Sequence, residues 1–248
     1  MDREHRILAG TLDTGRPVFN QAPRSWVRSA RPWAPLAYIT RALPSAIERA
    51  SRQLRVPPGG RLLDFGCAEK PYRGFFGSEI TYVGADLVGN PMADVEVTDI
   101  GTLPLEESSF DAVLSTQVLE HVADPPTYLR ECCRVLRPGG RMLLSTHGTM
   151  VLHPDPIDYW RWTSDGLRYE LSRAGLDVIA LEGVMGLAAT GVQLFQDATW
   201  GHLPPWLRAP YALALQTLIA LFDRVHSDRS RSFNALVYIV IAEKPEDS

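Results

Sequence analysis

Arg61-Leu-Leu-Asp64-Phe65-Gly66-Cys67-Ala68-Glu-Lys70-Pro71-Tyr72 is the stretch that decides the fold. Leu62 to Phe65 form a short apolar run holding Asp64, and the chain then turns on Gly66. Such a run predicts a buried parallel strand that empties into a ligand-binding turn. A second run, Thr81-Tyr-Val-Gly-Ala-Asp86-Leu87, also closes on a carboxylate. Asp86 stands 20 residues after Gly66, the separation at which an α/β nucleotide-binding unit sets an acid against a ribose. The two strand ends predict a nucleoside site.

The turn itself narrows the choice of nucleoside. Binding a pyrophosphate calls for G-x-G-x-x-G, because the later glycines let the backbone come close. Ala68, Lys70 and Pro71 stand in that region instead, and Pro71 removes an N–H that a phosphate would use. Nicotinamide-dependent hydride transfer is disfavoured on this ground. The run resembles the D-x-G-C-G turn of small bacterial class I S-adenosylmethionine-dependent methyltransferases, which bind a sulfonium nucleoside without phosphate. Ala68 departs from that pattern, replacing the family's second glycine. The resemblance extends over roughly residues 55 to 185 and implies S-adenosyl-L-methionine as cofactor. It also implies a Rossmann-like, seven-stranded, mostly parallel α/β sheet with helices on both faces and an antiparallel last strand.

Hydrophobic periodicity along the chain agrees with that architecture. Leu36, Ile39, Leu43, Ile47 and Ala50 suit a helix over Pro35–Leu54, broken or kinked at Pro44. Further strands are expected at Asp94–Thr98, Phe110–Thr116, Arg141–Thr146, Leu176–Leu181 and Ala235–Ala242. A helix capped by Asp124 runs to Leu136, where Arg-Pro-Gly-Gly140 stops it, and another covers Leu167–Ala174. Residues 1–55 read as an N-terminal arm or lid with a helix, and 56–182 as the cofactor-binding core. Residues 183–248 read as a helical insertion and the final core strand, all within one domain. Tyr211–Phe222 is apolar nearly all round and too short to span a bilayer, which suits a homodimer interface or a cover over the acceptor, with docking on a membrane surface as the lesser alternative.

Asp64 is placed to orient the turn and to accept from the cofactor, with Gly66, Cys67 and Ala68 forming the turn beneath it. Asp86, with Leu87 beside it, offers two acceptor oxygens to the ribose hydroxyls. The resemblance implies that Asp99 accepts from the adenine amino group and Ile100 packs on the ring. Gln117, ending the fourth strand, would face the methionine portion.

Methyl transfer to a hydroxyl needs in-line alignment and a base. His147, after the fifth strand, is the first candidate base and His121 the second, with Glu120 orienting one of them. Gln117-Val-Leu-Glu120-His121 with a later His147 resembles the E-x-x-E-H…H pattern of metal-assisted O-methyltransferases. That implies a divalent cation such as Mg²⁺ held by Glu120, His121 and His147, although Gln117 removes one charge from such a site. The segment His147…His153-Pro-Asp155-Pro-Ile-Asp158-Tyr159-Trp160-Arg161-Trp162-Thr163 resembles one found in bacterial methyltransferases of polysaccharide and glycolipid pathways. His153, Asp158, Tyr159, Trp160 and Arg161 are the expected acceptor contacts, since aromatic faces and bidentate groups suit a polyhydroxylated molecule. Asp158 and Arg161 pairing with each other is the structural alternative.

The function expected is O-methylation of a sugar or oligosaccharide. The alternatives are a phenolic, amine or carbon centre of a secondary metabolite, and a non-catalytic cofactor-binding partner protein. Composition fits an ordinary enzyme domain: 248 residues, 45% hydrophobic and 22% charged. A net charge of −4 gives no general attraction to nucleic acid, although residues 1–55 carry ten arginines against four acids. Cys67, Cys132 and Cys133 lack metal-ligand spacing and read as packing residues of a reducing compartment. The lack of an apolar leader or long apolar run points to a cytoplasmic protein.

Overall fold

Strand boundaries follow the apolar runs closely. In the computed structural model, which describes residues 31–97, 102–153 and 157–246, β1 is Arg61–Phe65, β2 Thr81–Leu87, β3 Val95–Val97 and β4 Phe110–Thr116. Three longer strands complete the sheet: β5 Leu136–His147, β6 Asp177–Gly186 and β7 Ala235–Glu243. Their spatial order is β3-β2-β1-β4-β5-β7-β6. β1 to β5 pair in parallel, while β7 inserts antiparallel between β5 and β6. This is the expected sheet, antiparallel last strand included.

Two strands run longer than their apolar runs suggest. β5 begins at Leu136 because Leu136 still pairs with Phe110, and the register shifts before Arg141 meets Ala112. The Arg-Pro-Gly-Gly140 run therefore ends a helix and also lies inside an irregular strand. β6 continues to Gly186 because β7 offers it partners as far as Ala235.

Strand alternation sends side chains to two cores. Leu63, Phe65, Val113 and Leu144 pack on one face beneath α2 (Pro125–Val135) and α3 (Ser164–Arg173). Leu62, Ala112, Leu114 and Leu143 pack on the other beneath α1 (Ile39–Ser51), α4 (Leu187–Trp200) and α5 (Pro205–Asp223). Helix α1 buries Ile39, Leu43, Ala46, Ile47 and Ala50 along one stripe and continues through Pro44. A short α6 (Asp228–Phe233) precedes β7.

Caps fix where the helices beside the site begin. The Asp124 side chain accepts from Thr127 N–H, and Thr163 accepts from Gly166 N–H at 3.0 Å. The latter starts α3 three residues before the expected Leu167. Cys67, Cys132 and Cys133 are free and buried, as packing residues would be. No helix among the described residues is long and apolar enough to cross a membrane.

Candidate active site

The carboxyl ends of β1 and β2 form one half of the site. Asp64 is buried, and its Oδ2 accepts from the Tyr82 hydroxyl across the β1–β2 ladder. Its Oδ1 is also buried and has no hydrogen-bond partner among the described residues. Burial pushes the Asp64 carboxyl up to about 7, and nearby Asp86 adds to the rise while Tyr82 and Lys70 oppose it. A buried carboxylate with one orphaned oxygen is set to receive a donor from outside the chain.

Gly66 is required twice over. It has φ +80°, and a Cβ there would lie 2.4 Å from Val118 Cγ2. The Gly66 and Cys67 N–H groups both donate to Ala85 O, locking the turn to β2. Ala68 takes φ +45°, the left-handed geometry a glycine would adopt freely. Its N–H donates to Asp86 Oδ2 at 2.7 Å, and Leu87 N–H donates to Asp86 Oδ1 at 2.8 Å. The Cys67 thiol is pushed up to about 12 by burial and stays neutral.

Asn90 joins this turn unheralded by the sequence. Buried after β2, it donates through Nδ2 to both Asp86 Oδ2 and Ala68 O. Lys70 bridges Asp94 at 2.6 Å, and Gly84 N–H donates to the same carboxylate. The orphaned Asp64 oxygen, the Gly66 turn that a Cβ would fill and the half-buried Asp86 together suit the hydroxyls and amine of a nucleoside bearing an amino acid. Asp99 and Ile100, the expected adenine contacts, lie outside the described residues, as does Asp155.

The ends of β4 and β5 form the other half. Gln117, at φ +55°, turns its Nε2 to Ser145 Oγ at 3.0 Å, toward β5. Glu120 lies on a 3₁₀ turn, Leu119–His121, and is fully buried. Its Oε2 accepts from Thr146 Oγ1 at 2.8 Å, and its Oε1 lies 3.4 Å from His147 Nε2. His147 is itself buried, and its Nδ1 has no hydrogen-bond partner among the described residues.

Burial disfavours the charged form of both partners. The Glu120 carboxyl rises to about 7 and the His147 imidazole falls to about 3, Arg161 and His153 adding to the fall. His147 is therefore neutral at physiological pH. A proton on Nε2 facing Glu120 leaves Nδ1 as the lone-pair nitrogen.

Residues 148–153 and 157–163 lie across these strand ends. Tyr159 N–H donates to Glu120 O, Trp162 N–H to His147 O and Trp160 Nε1–H to Val122 O. Arg161 grips Asp158 with both terminal nitrogens and also donates to Met150 O through Nε. Despite its burial, that guanidinium holds the Asp158 carboxyl below its ordinary value. Asp158 also accepts from His153 N–H, so Asp158 and Arg161 brace the loop. His153, Tyr159 and Trp160 are exposed. The His153 ring stands 5.9 Å from His147 and 6.1 Å from His121, centroid to centroid.

His121 Nδ1 donates to Ile157 O at 2.6 Å. Among the described residues no group of three or more His, Cys, Asp or Glu side chains is placed to hold a metal ion. Glu120 and His147 are brought together, but Glu120, His121 and His147 do not form a ligand set. Sequence reasoning did not find Tyr82, Asn90, Thr146 or Ser145. Thr146 sits one residue before His147 at a strand end, which was a signal. Nothing local marks Tyr82, whose role depends on β2 lying beside β1.

A family described as Methyltransferase domain matches residues 63–144. A ubiquinone biosynthesis O-methyltransferase from Xanthomonas axonopodis pv. citri is 31% identical over 242 residues, covering 89% of each chain. A 37.1 kDa transposon protein from Streptomyces fradiae is 42% identical over 39% of this chain, which spans 26% of that protein. Among solved structures, the [4+2]-cyclase SpnF shares the fold with a TM-score of 0.55 and 20% identity, over 85% of both chains.

Proposed function

The chain belongs to the S-adenosylmethionine-dependent methyltransferases, and on that premise we propose that it methylates a hydroxyl of a small polyhydroxylated acceptor, a sugar or oligosaccharide, with His147 as base. The observation that carries this reading is the buried pair in which His147 Nε2 faces Glu120 Oε1 while Nδ1 lacks a partner among the described residues. S-adenosylmethionine supplies an electrophilic methyl group on a sulfonium sulfur. Asp64, the Gly66–Ala68 turn and Asp86 would hold it, and the Gln117 backbone would border its methionine end.

The remaining work falls to the β4 and β5 ends. Thr146 fixes the Glu120 carboxyl, and closing the 3.4 Å gap between Oε1 and Nε2 would let Glu120 orient the imidazole so that Nδ1 takes the hydroxyl proton. An ionised Glu120 then stabilises the imidazolium, the role of the acid in a hydrolase triad. The loop backbone hydrogen-bonds to both residues and shields them from water, so the acceptor would displace part of the loop to reach Nδ1. The exposed indole of Trp160 and ring of Tyr159 offer stacking faces for sugar C–H surfaces. A second reading, a phenolic hydroxyl, is favoured by the relative named for ubiquinone biosynthesis.

The test supplies methyl-labelled cofactor with panels of sugars and phenols and locates the product methyl by NMR. A sugar methyl ether, lost in His147→Ala with cofactor affinity retained, is the expected result. Transfer to phenols alone would select the second reading, and transfer only to nitrogen or carbon would refute both.

A further inference from the structure

Helices α4 and α5 are built inside out. Their long polar side chains point inward: Gln193, Gln196 and Gln216 are buried, and all three donate to the single carbonyl of Pro35. Gln216 also accepts from Tyr38 N–H, and Asp223 accepts from the Tyr38 hydroxyl and from Gly186 N–H. The last contact ties the end of α5 to the start of α4 at the carboxyl edge of the sheet.

The outward faces carry no charge. On α4 the exposed positions are Leu187, Ala188, Gly191, Phe195 and Ala198, a helical stripe. On α5 they include Trp206 at 75% exposure, Leu213 at 46% and Leu221 at 55%. A soluble surface helix normally reverses this arrangement, and an apolar face of this extent marks a docking surface.

The charges at the borders identify the occupant. Arg208 lies in the first turn of α5, Arg224 follows its last turn, and Arg229 lies on α6. None of the three has a carboxylate partner among the described residues, but Arg208 is half-buried, donates to Leu203 O and lies over the Trp200 ring, so Arg224 and Arg229 are the exposed cations. The acids of this region are otherwise engaged: Asp197 and Asp223 accept internal hydrogen bonds, and Asp228 pairs with Arg231. Antiparallel packing of two α5 helices would set Arg208 of one copy near Arg224 of the other, and the exposed acid nearest to them, Asp228, is already paired with Arg231. A sheet of lipid headgroups supplies the missing negative charge and accepts the aromatic and aliphatic stripe.

We propose that the outer face of the α4–α5 hairpin docks in the interfacial layer of an anionic membrane. The inference is independent of which hydroxyl is methylated. The test is co-sedimentation of the full chain with vesicles of phosphatidylcholine alone or mixed with phosphatidylglycerol. Binding about thirtyfold tighter to the anionic vesicles is expected, from Arg224 and Arg229, the two exposed arginines without a carboxylate partner. The double substitution Phe195→Glu with Leu213→Glu should abolish it while leaving the melting temperature and cofactor affinity unchanged. Arg224→Glu with Arg229→Glu leaves the apolar stripe intact and should remove the preference for anionic lipid, which keeps the test open if the first variant misfolds. No binding to either vesicle, or undiminished binding by both variants, would overturn the proposal. So would a stable dimer in sedimentation analysis that the first variant dissociates, because that outcome assigns the face to a second copy.

Discussion

Asp64→Asn should stabilise the free protein and weaken its grip on the cofactor, and the two effects have a common cause. The carboxyl is buried, and its folded pKa of about 7 lies above the ordinary 3.8 because burial disfavours the anion. The sign follows from linkage: the stability associated with the neutral acid is fully present below about pH 4 and is lost as pH rises through about 7. The separation converts to roughly 4 kcal/mol at 1.36 kcal/mol per pH unit, an upper bound on what the ionised group withholds above neutrality. Asparagine keeps an oxygen for the Tyr82 hydroxyl and carries no charge. The variant should therefore melt higher at pH 8, by as much as about 10 °C for a chain of this size, and match the wild type near pH 4. Calorimetric titration with S-adenosylmethionine should show affinity about ten- to a hundredfold weaker, the loss of a hydrogen bond to a charged acceptor. A melting difference that does not change between pH 4 and 8, or unaltered cofactor affinity, would refute the reasoning.

Glu120→Gln should lower turnover about a hundredfold and flatten its pH profile. In the wild type, activity should rise through about pH 7 as the carboxyl ionises beside His147, and an unchanged rising limb in the variant would assign the limb elsewhere. Gly66→Ala combines a left-handed φ with a collision against Val118, so a loss of about 2–5 kcal/mol in chemical denaturation is expected. Adding Val118→Ala should recover the steric share alone. Ala68→Gly should relieve about 1 kcal/mol of backbone strain, partly offset by the freer unfolded chain, and leave cofactor affinity intact because only the Ala68 N–H reaches Asp86. A clear loss of stability would mean that the Ala68 methyl packs productively.

The sequence by itself determined the sheet and the strand ends at which the cofactor is proposed to bind. β4 begins and ends where its apolar run does, because a buried parallel strand is apolar on both faces and turn residues bound it, and β2 matches its run although only Gly84 and Ala85 in it are buried. Asp64, Gly66 and Asp86 were legible for the same reason, since a carboxylate or glycine closing such a run has few structural uses. Glu120 could be named as the acid orienting one of two histidines, but not as the partner of His147 rather than His121. Glu120 and His147 are 27 positions apart, and only the parallel register of β4 and β5 brings the 3₁₀ turn after one beside the end of the other. Tertiary structure also decided that Arg161 clasps Asp158, that Asn90 completes the turn around Asp86, and that α4 and α5 bury their glutamines. Spacing shows which residues share a face, but the direction of that face is settled by what lies behind it. Here the Pro35 carbonyl lies behind it and accepts from three inward-facing amides, while the apolar stripes stay outside.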